Sequence, residues 1–333
     1  MIRTRSTGQH FVVFMVALVW LGGCASLPDL SSYTSSTIRL QSAIDSSGQV
    51  VLASLNSAKK ALEAAKATQA ATYKKHAGDF ERHWKARVAA MDALVAYARS
   101  LEEIAASGRS GSKSAKAVAG AVTSFAESLG VVPGGQIVGV ATDAAAFVYG
   151  QIAIIRAARS LQESIDATTP VLERLVQVID KDLDDARKAF VYASDATKKE
   201  LRVDYGHTKK AWEVLVDRRR ERLERLHLTL ADEKVSVVSA LNATEREELE
   251  EIERRLLAVE PEWLRYQTKL AAIQDREDAG MEIISASQTA LQDWIHAQKD
   301  LAASAGQRRP ARLDGLADAV VEIRSLVERW RNL

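Results

Sequence analysis

The sequence predicts an all-α fold: an elongated bundle of long antiparallel, coiled-coil-like helices with an apolar helical hairpin at one end. Three observations carry this expectation. Charged residues make up 27% and aromatics 6% of the chain, a composition of helix formers. Only five prolines interrupt 333 residues, at positions 28, 133, 170, 261 and 310. Apolar residues recur in alternating steps of three and four, and no run alternates with period two between hairpin-type turns.

The N-terminus has a different pattern. Arg3 and Arg5 form a positive region without acids, and Phe11–Leu21 (FVVFMVALVWL) is apolar throughout. Such a run suits an export signal but is too short to cross a ~30 Å hydrocarbon layer as a helix. Leu21-Gly22-Gly23-Cys24 follows, and Cys24 is the one cysteine of the chain. An exported chain with a single thiol forms no internal disulfide, so that thiol needs another use.

Charge, apolar run and Leu21-Gly22-Gly23-Cys24, in that order, resemble the signal and lipobox of bacterial lipoproteins. The resemblance implies cleavage before Cys24, lipidation of that cysteine with acyl chains such as palmitate, and a body facing the periplasm. Two or more chains, each buried methylene contributing about 0.8 kcal/mol, hold a protein stably on a bilayer. Ala25 and Ser26 follow the cysteine in place of Asp, which in the enteric sorting pattern implies the outer membrane. Removing residues 1–23 takes the formal net charge from +1 to −1. That balance gives no reason to expect a nucleic-acid partner.

Residues 24–37, the expected lipidated cysteine and a Ser/Thr-rich stretch, read as a flexible tether. A single helical domain is expected from 38 to 333. It opens with a short helix near Ile38–Ile44, ended by Ser46-Ser47-Gly48. A long helix from Gln49 to Ala106 carries the stripe Val51, Leu55, Ala58, Leu62 and Ala65, then Phe80, Trp84, Val88, Met91, Val95, Ala98 and Leu101. Ser107–Ser112 reads as a loop. From Ile152 the stripe runs through Ile155, Leu161, Ile165, Leu172, Leu175, Ile179, Leu183 and Phe190. Thr169-Pro170 suits an N-cap and first-turn proline, which predicts a break or kink there. A disturbance is expected at Gly206, and the helix then heads towards Leu241. Thr244-Glu245-Arg246-Glu247 is a capping box that opens a helix, with a kink expected at Pro261 and an end near Ala303. A last amphipathic helix spans about 311–331.

The hairpin, residues 115–158, is the most informative functional candidate. Between 117 and 155 the only charges are Glu127 and Asp143, and Val131-Val132-Pro133-Gly134-Gly135 marks a tight reversal. Gly135, Gly139 and Asp143 share a row at four-residue spacing, which permits close helix approach. Val131, Val132, Pro133, Gly135, Gly139 and Asp143 are therefore the candidate membrane or partner contacts. In layout, though in no shared motif, the chain resembles the long-helix pore-forming toxins of the cytolysin A type, which implies a hairpin that inserts into bilayers. Asp143 in mid-arm opposes passive insertion, since an acid at the bilayer centre is costly.

Other features read as solvated surface. His76, Asp79 and His83 fall roughly on one helix face, but the histidines stand two turns apart, too far for compact zinc geometry. Arg218–Arg225 interleaves Arg with Glu221 and Glu224, as salt-laced exposed faces do. No phosphate loop, His-Glu-x-x-His or Gly-x-Ser-x-Gly occurs. The expectation is a non-enzymatic envelope protein without metal or cofactor. Its partners are then a membrane through the lipid and a protein of the envelope.

Overall fold

The computed structural model describes residues 30–107, 112–130, 151–152, 154–155, 161–225, 243–307 and 314–333. The described chain is all-helical. Its helices are α1 (Ser31–Ala64), α2 (Ala70–Ser107), α3 (Ser112–Ser128), α4 (Leu161–Asp204), α5 (Gly206–Arg225), α6 (Ala243–Gln307) and α7 (Asp314–Asn332). The expected signal region and lipobox, with Cys24, lie outside the described residues, as do the candidate contacts Val131, Val132, Pro133, Gly135, Gly139 and Asp143.

Helix α1 corrects two expectations. Residues 31–37, assigned to the tether, are helical, and Leu30 and Tyr33 are buried. The helix also passes straight through Ser46-Ser47-Gly48. The Ser and Thr residues enter the interior because their hydroxyls bond within the protein: Thr37 Oγ1 donates to Tyr33 O at 2.8 Å, and Thr34 Oγ1 to Ala98 O at 3.3 Å. A sequence rich in hydroxyls thus reads as solvated when its polarity is satisfied internally.

The long helix expected over Gln49–Ala106 is two helices. α1 ends in a Schellman motif, in which Ala67 N–H donates to Leu62 O (2.9 Å) and Lys66 N–H to Glu63 O (3.0 Å). Lys66 occupies the left-handed position at φ 54°. Glycine usually stands there, and its absence hid the stop. Conversely, α4 is unbroken across Thr169-Pro170, with the hydroxyls of Thr168 and Thr169 both donating to Ile165 O (3.0 and 2.8 Å). α6 likewise runs through Pro261.

Other boundaries agree with the sequence. α4 gives way to α5 at Tyr205, beside Gly206, and α6 starts at the capping box. Of the expected stripe, Ile152, Ile155, Ile165, Leu172, Leu175, Ile179, Leu183 and Phe190 are buried.

Tertiary contacts divide the body expected at 38–333 into two units. Unit 1 takes the described residues of Met1–Asp45, Lys85–Asp182 and Ala286–Arg324, and unit 2 those of Ser46–Trp84, Leu183–Ser285 and Ser325–Leu333. α3 belongs wholly to unit 1 and α5 wholly to unit 2. The other five helices contribute residues to both.

Candidate functional site

In unit 1 α3, the first arm of the expected hairpin, is packed. Val118, Ala119, Val122, Phe125 and Ala126 of α3 are fully buried, and Leu129 nearly so. Glu127 is exposed on the same helix. α3 closes at Gly130, whose φ of 83° suits a residue without Cβ, and Gly130 N–H donates to Glu127 O at 2.9 Å. Ile152 and Ile155, where the second arm ends, are buried as well. No helix among the described residues is long and apolar enough to cross a membrane.

The most ordered chemistry in unit 1 is a buried polar network that the sequence did not announce. Tyr33 (α1), Tyr97 (α2), Thr168 and Thr169 (α4), and Trp294 and Gln298 (α6) meet in the interior. Gln298 is fully buried. Its Oε1 accepts from Tyr33 Oη at 2.8 Å, and its Nε2 donates to Tyr97 Oη at 2.6 Å and Thr169 Oγ1 at 3.3 Å. Thr168 and Thr169 spend their hydroxyl protons on Ile165 O, so each can only accept from the network. This fixes the Gln298 amide with nitrogen towards Thr169. It also makes Tyr97 the donor in its 2.9 Å contact with Thr168.

Trp294 completes the set. Its Nε1–H donates to Thr37 Oγ1 at 2.9 Å, and its ring stacks on Tyr33 with centroids 5.6 Å apart. Burial pushes the Tyr33 and Tyr97 phenols well above their ordinary range, with the neighbouring Tyr97 adding to the effect on Tyr33. Every proton of this group has an acceptor, and no group is poised as acid, base or nucleophile near pH 7. The arrangement therefore fixes which helix faces meet and at what register.

Unit 2 packs differently. A Cβ at Gly48 would overlap the Trp84 indole, and one at Gly280 would overlap the Phe190 ring. The stop signal read at Ser46-Ser47-Gly48 is thus a socket for an aromatic knob. Tyr73 stacks on Tyr192 (5.4 Å), and Trp212, Trp263, Tyr266 and Tyr205 form a ladder between α5, α6 and the α4–α5 junction, with centroid steps of 5.7, 5.4 and 5.6 Å.

The remaining sequence candidates fall in unit 2 on or near the surface. His76 and His83 are exposed, and Asp79 pairs with Arg82. The Arg-rich segment is laced to α6: Arg219 meets Glu253 at 2.6 Å, and Arg222 pairs with Glu248. Arg218, Arg222 and Arg255 with Glu221, Glu247 and Glu251 line a groove of about 570 Å³. Its charges are mixed, so it presents no single-sign field to a polyanion. No group of three or more metal-ligating side chains occurs among the described residues.

Comparison with family models, curated proteins and solved structures found no match.

Proposed function

We propose that the chain is a lipid-anchored, periplasm-facing envelope protein that works without catalysis, as an elongated helical scaffold that binds a protein partner. The observation that carries the anchor is the ordered series of Arg3 and Arg5, the apolar run Phe11–Leu21, and Leu21-Gly22-Gly23-Cys24. Ala25-Ser26 after the cysteine favours the outer membrane.

Burial of Val118, Val122 and Phe125 supports the scaffold, because a hairpin arm already committed to the core has less apolar face to give to lipid. Leu257 and Leu264 support a partner surface. They lie two turns apart on α6 and are 65% and 52% exposed. A membrane-active body whose 117–155 hairpin enters the bilayer, as the cytolysin A layout implies, is the competing reading. The length of residues 136–155, about 30 Å as a helix, favours it.

Metabolic labelling with an acyl precursor tests the anchor. The wild-type chain should incorporate label and run as a processed form, while Cys24→Ser should stay unlabelled and unprocessed. Label retained by Cys24→Ser would refute the lipobox.

A further inference from the structure

Unit 2 contains a cleft of about 320 Å³ whose lining is not explained by packing alone. Four helices supply it: α1 with Ser54 and Ser57, α4 with Phe190 and Ser194, α6 with Ile273, Arg276 and Glu277, and α7 with Trp330 and Arg331. Its volume falls at the lower end of the roughly 300–1,000 Å³ typical of small-molecule sites. Phe190, Ile273 and the Trp330 ring give it an apolar wall.

The polar groups are unbalanced in one direction. Glu277 is already committed, because it pairs with Lys198 and accepts from Ser194 Oγ. Arg276 and Arg331 are exposed and have no carboxylate partner among the described residues. The Trp330 Nε1–H is shielded from solvent and has no acceptor among them. An orphaned buried donor costs about 1–3 kcal/mol, a penalty removed when a bound group supplies the acceptor. The cleft thus offers two guanidinium groups, an indole N–H and serine hydroxyls beside an aromatic wall, and lacks a free acceptor of negative charge.

We propose that this cleft binds a small anion carrying an apolar part, such as an aromatic carboxylate or phosphate monoester. The anionic group sits against Arg276, Arg331 and the Trp330 N–H, and the apolar part lies against Phe190 and Ile273. Guanidinium–oxyanion contacts are charge-assisted and stronger than neutral hydrogen bonds, so the two arginines dominate the affinity.

Calorimetric titration of the full chain with phenyl phosphate tests this, with inorganic phosphate and phenol as separated halves of the ligand. Phenyl phosphate should bind at one saturable site, at least tenfold tighter than either half, and weaken with added salt. The double variant Arg276→Gln/Arg331→Gln should lose at least tenfold in affinity. Both side chains are exposed, so its helical circular dichroism should stay unchanged. Trp330→Phe, which keeps an aromatic face but removes the N–H donor and part of the ring, should lose several-fold. Absent saturable binding, phenyl phosphate affinity unchanged by the arginine substitutions, or inorganic phosphate binding as tightly as phenyl phosphate would overturn the proposal.

Discussion

Helices α1, α2, α4 and α6 contribute to the interior of both units, yet they lock together by different means in each. In unit 1 the lock is directional: Tyr33, Tyr97, Thr168, Thr169 and Gln298 interlink through hydrogen bonds whose donors and acceptors match one by one. In unit 2 it is steric, with Trp84 seated over Gly48 and Phe190 over Gly280. A polar lock fixes register because any slip strands a buried donor; a glycine socket fixes it because any added atom collides. One region should therefore be sensitive to lost polar partners and pH, and the other to added volume.

The largest expected effect is alkaline. Burial raises the Tyr33 and Tyr97 phenols in the folded state, so their stabilisation is fully present below the unfolded pKa near 10 and is lost as pH rises through the folded values. For the pair the loss approaches about 3 kcal/mol per pH unit above 10. Tyr73 of unit 2 is raised too, by burial and then by its neighbour Tyr192, but it is less enclosed than the unit 1 pair, so unit 2 should lose clearly less. Hydrogen exchange resolved by unit across pH 9–12 checks this, and Tyr33→Phe/Tyr97→Phe should flatten the unit 1 profile. Equal slopes in the two units would break the comparison.

Next is volume. Gly48→Leu should destabilise unit 2 by about 3 kcal/mol through overpacking against Trp84, read as a fall in denaturant midpoint. Trp84→Ala should be partly rescued by the same substitution, since the leucine then fills the vacated space. Strict additivity would mean that the two residues do not share a site.

Gln298→Met should cost unit 1 about 2 kcal/mol, because Tyr33 Oη loses its acceptor while Tyr97 still donates to Thr168. Adding Tyr33→Phe should recover at least half of that, a coupling absent if Gln298 served only to fill space.

The smallest effect lies at the α1 terminus. Lys66→Gly should stabilise by about 0.5–1 kcal/mol, as it relieves a side chain held at positive φ.

These locks explain what the sequence did and did not disclose. Helices announced by long stripes, such as α4 and α7, were legible because their cores are apolar, and so was the start of α6 next to Thr244. Gln298 was hidden in an apolar stripe, where a lone glutamine reads as a surface position. Thr34 and Thr37 read as tether for the same reason: composition records polarity but not its satisfaction. Gly48 and Pro170 read as breaks because their local cost is visible in sequence, whereas the contacts that outweigh it join residues distant in the chain. The Schellman stop went unseen because lysine stood for glycine. Of the functional candidates, Cys24 and Val131, Val132, Pro133, Gly135, Gly139 and Asp143 lie outside the described residues. The Trp330 cleft depends on four separate helices, which no local motif could reveal.

The scaffold reading is tested most directly with dye-loaded liposomes and the body from Ala25 onward, prepared without its lipid. With the first hairpin arm committed to the core, the protein should neither bind the vesicles nor release dye. Leakage that disappears when Gly139 and Val140 are changed to Asp would contradict that account and give the membrane-active reading the lead.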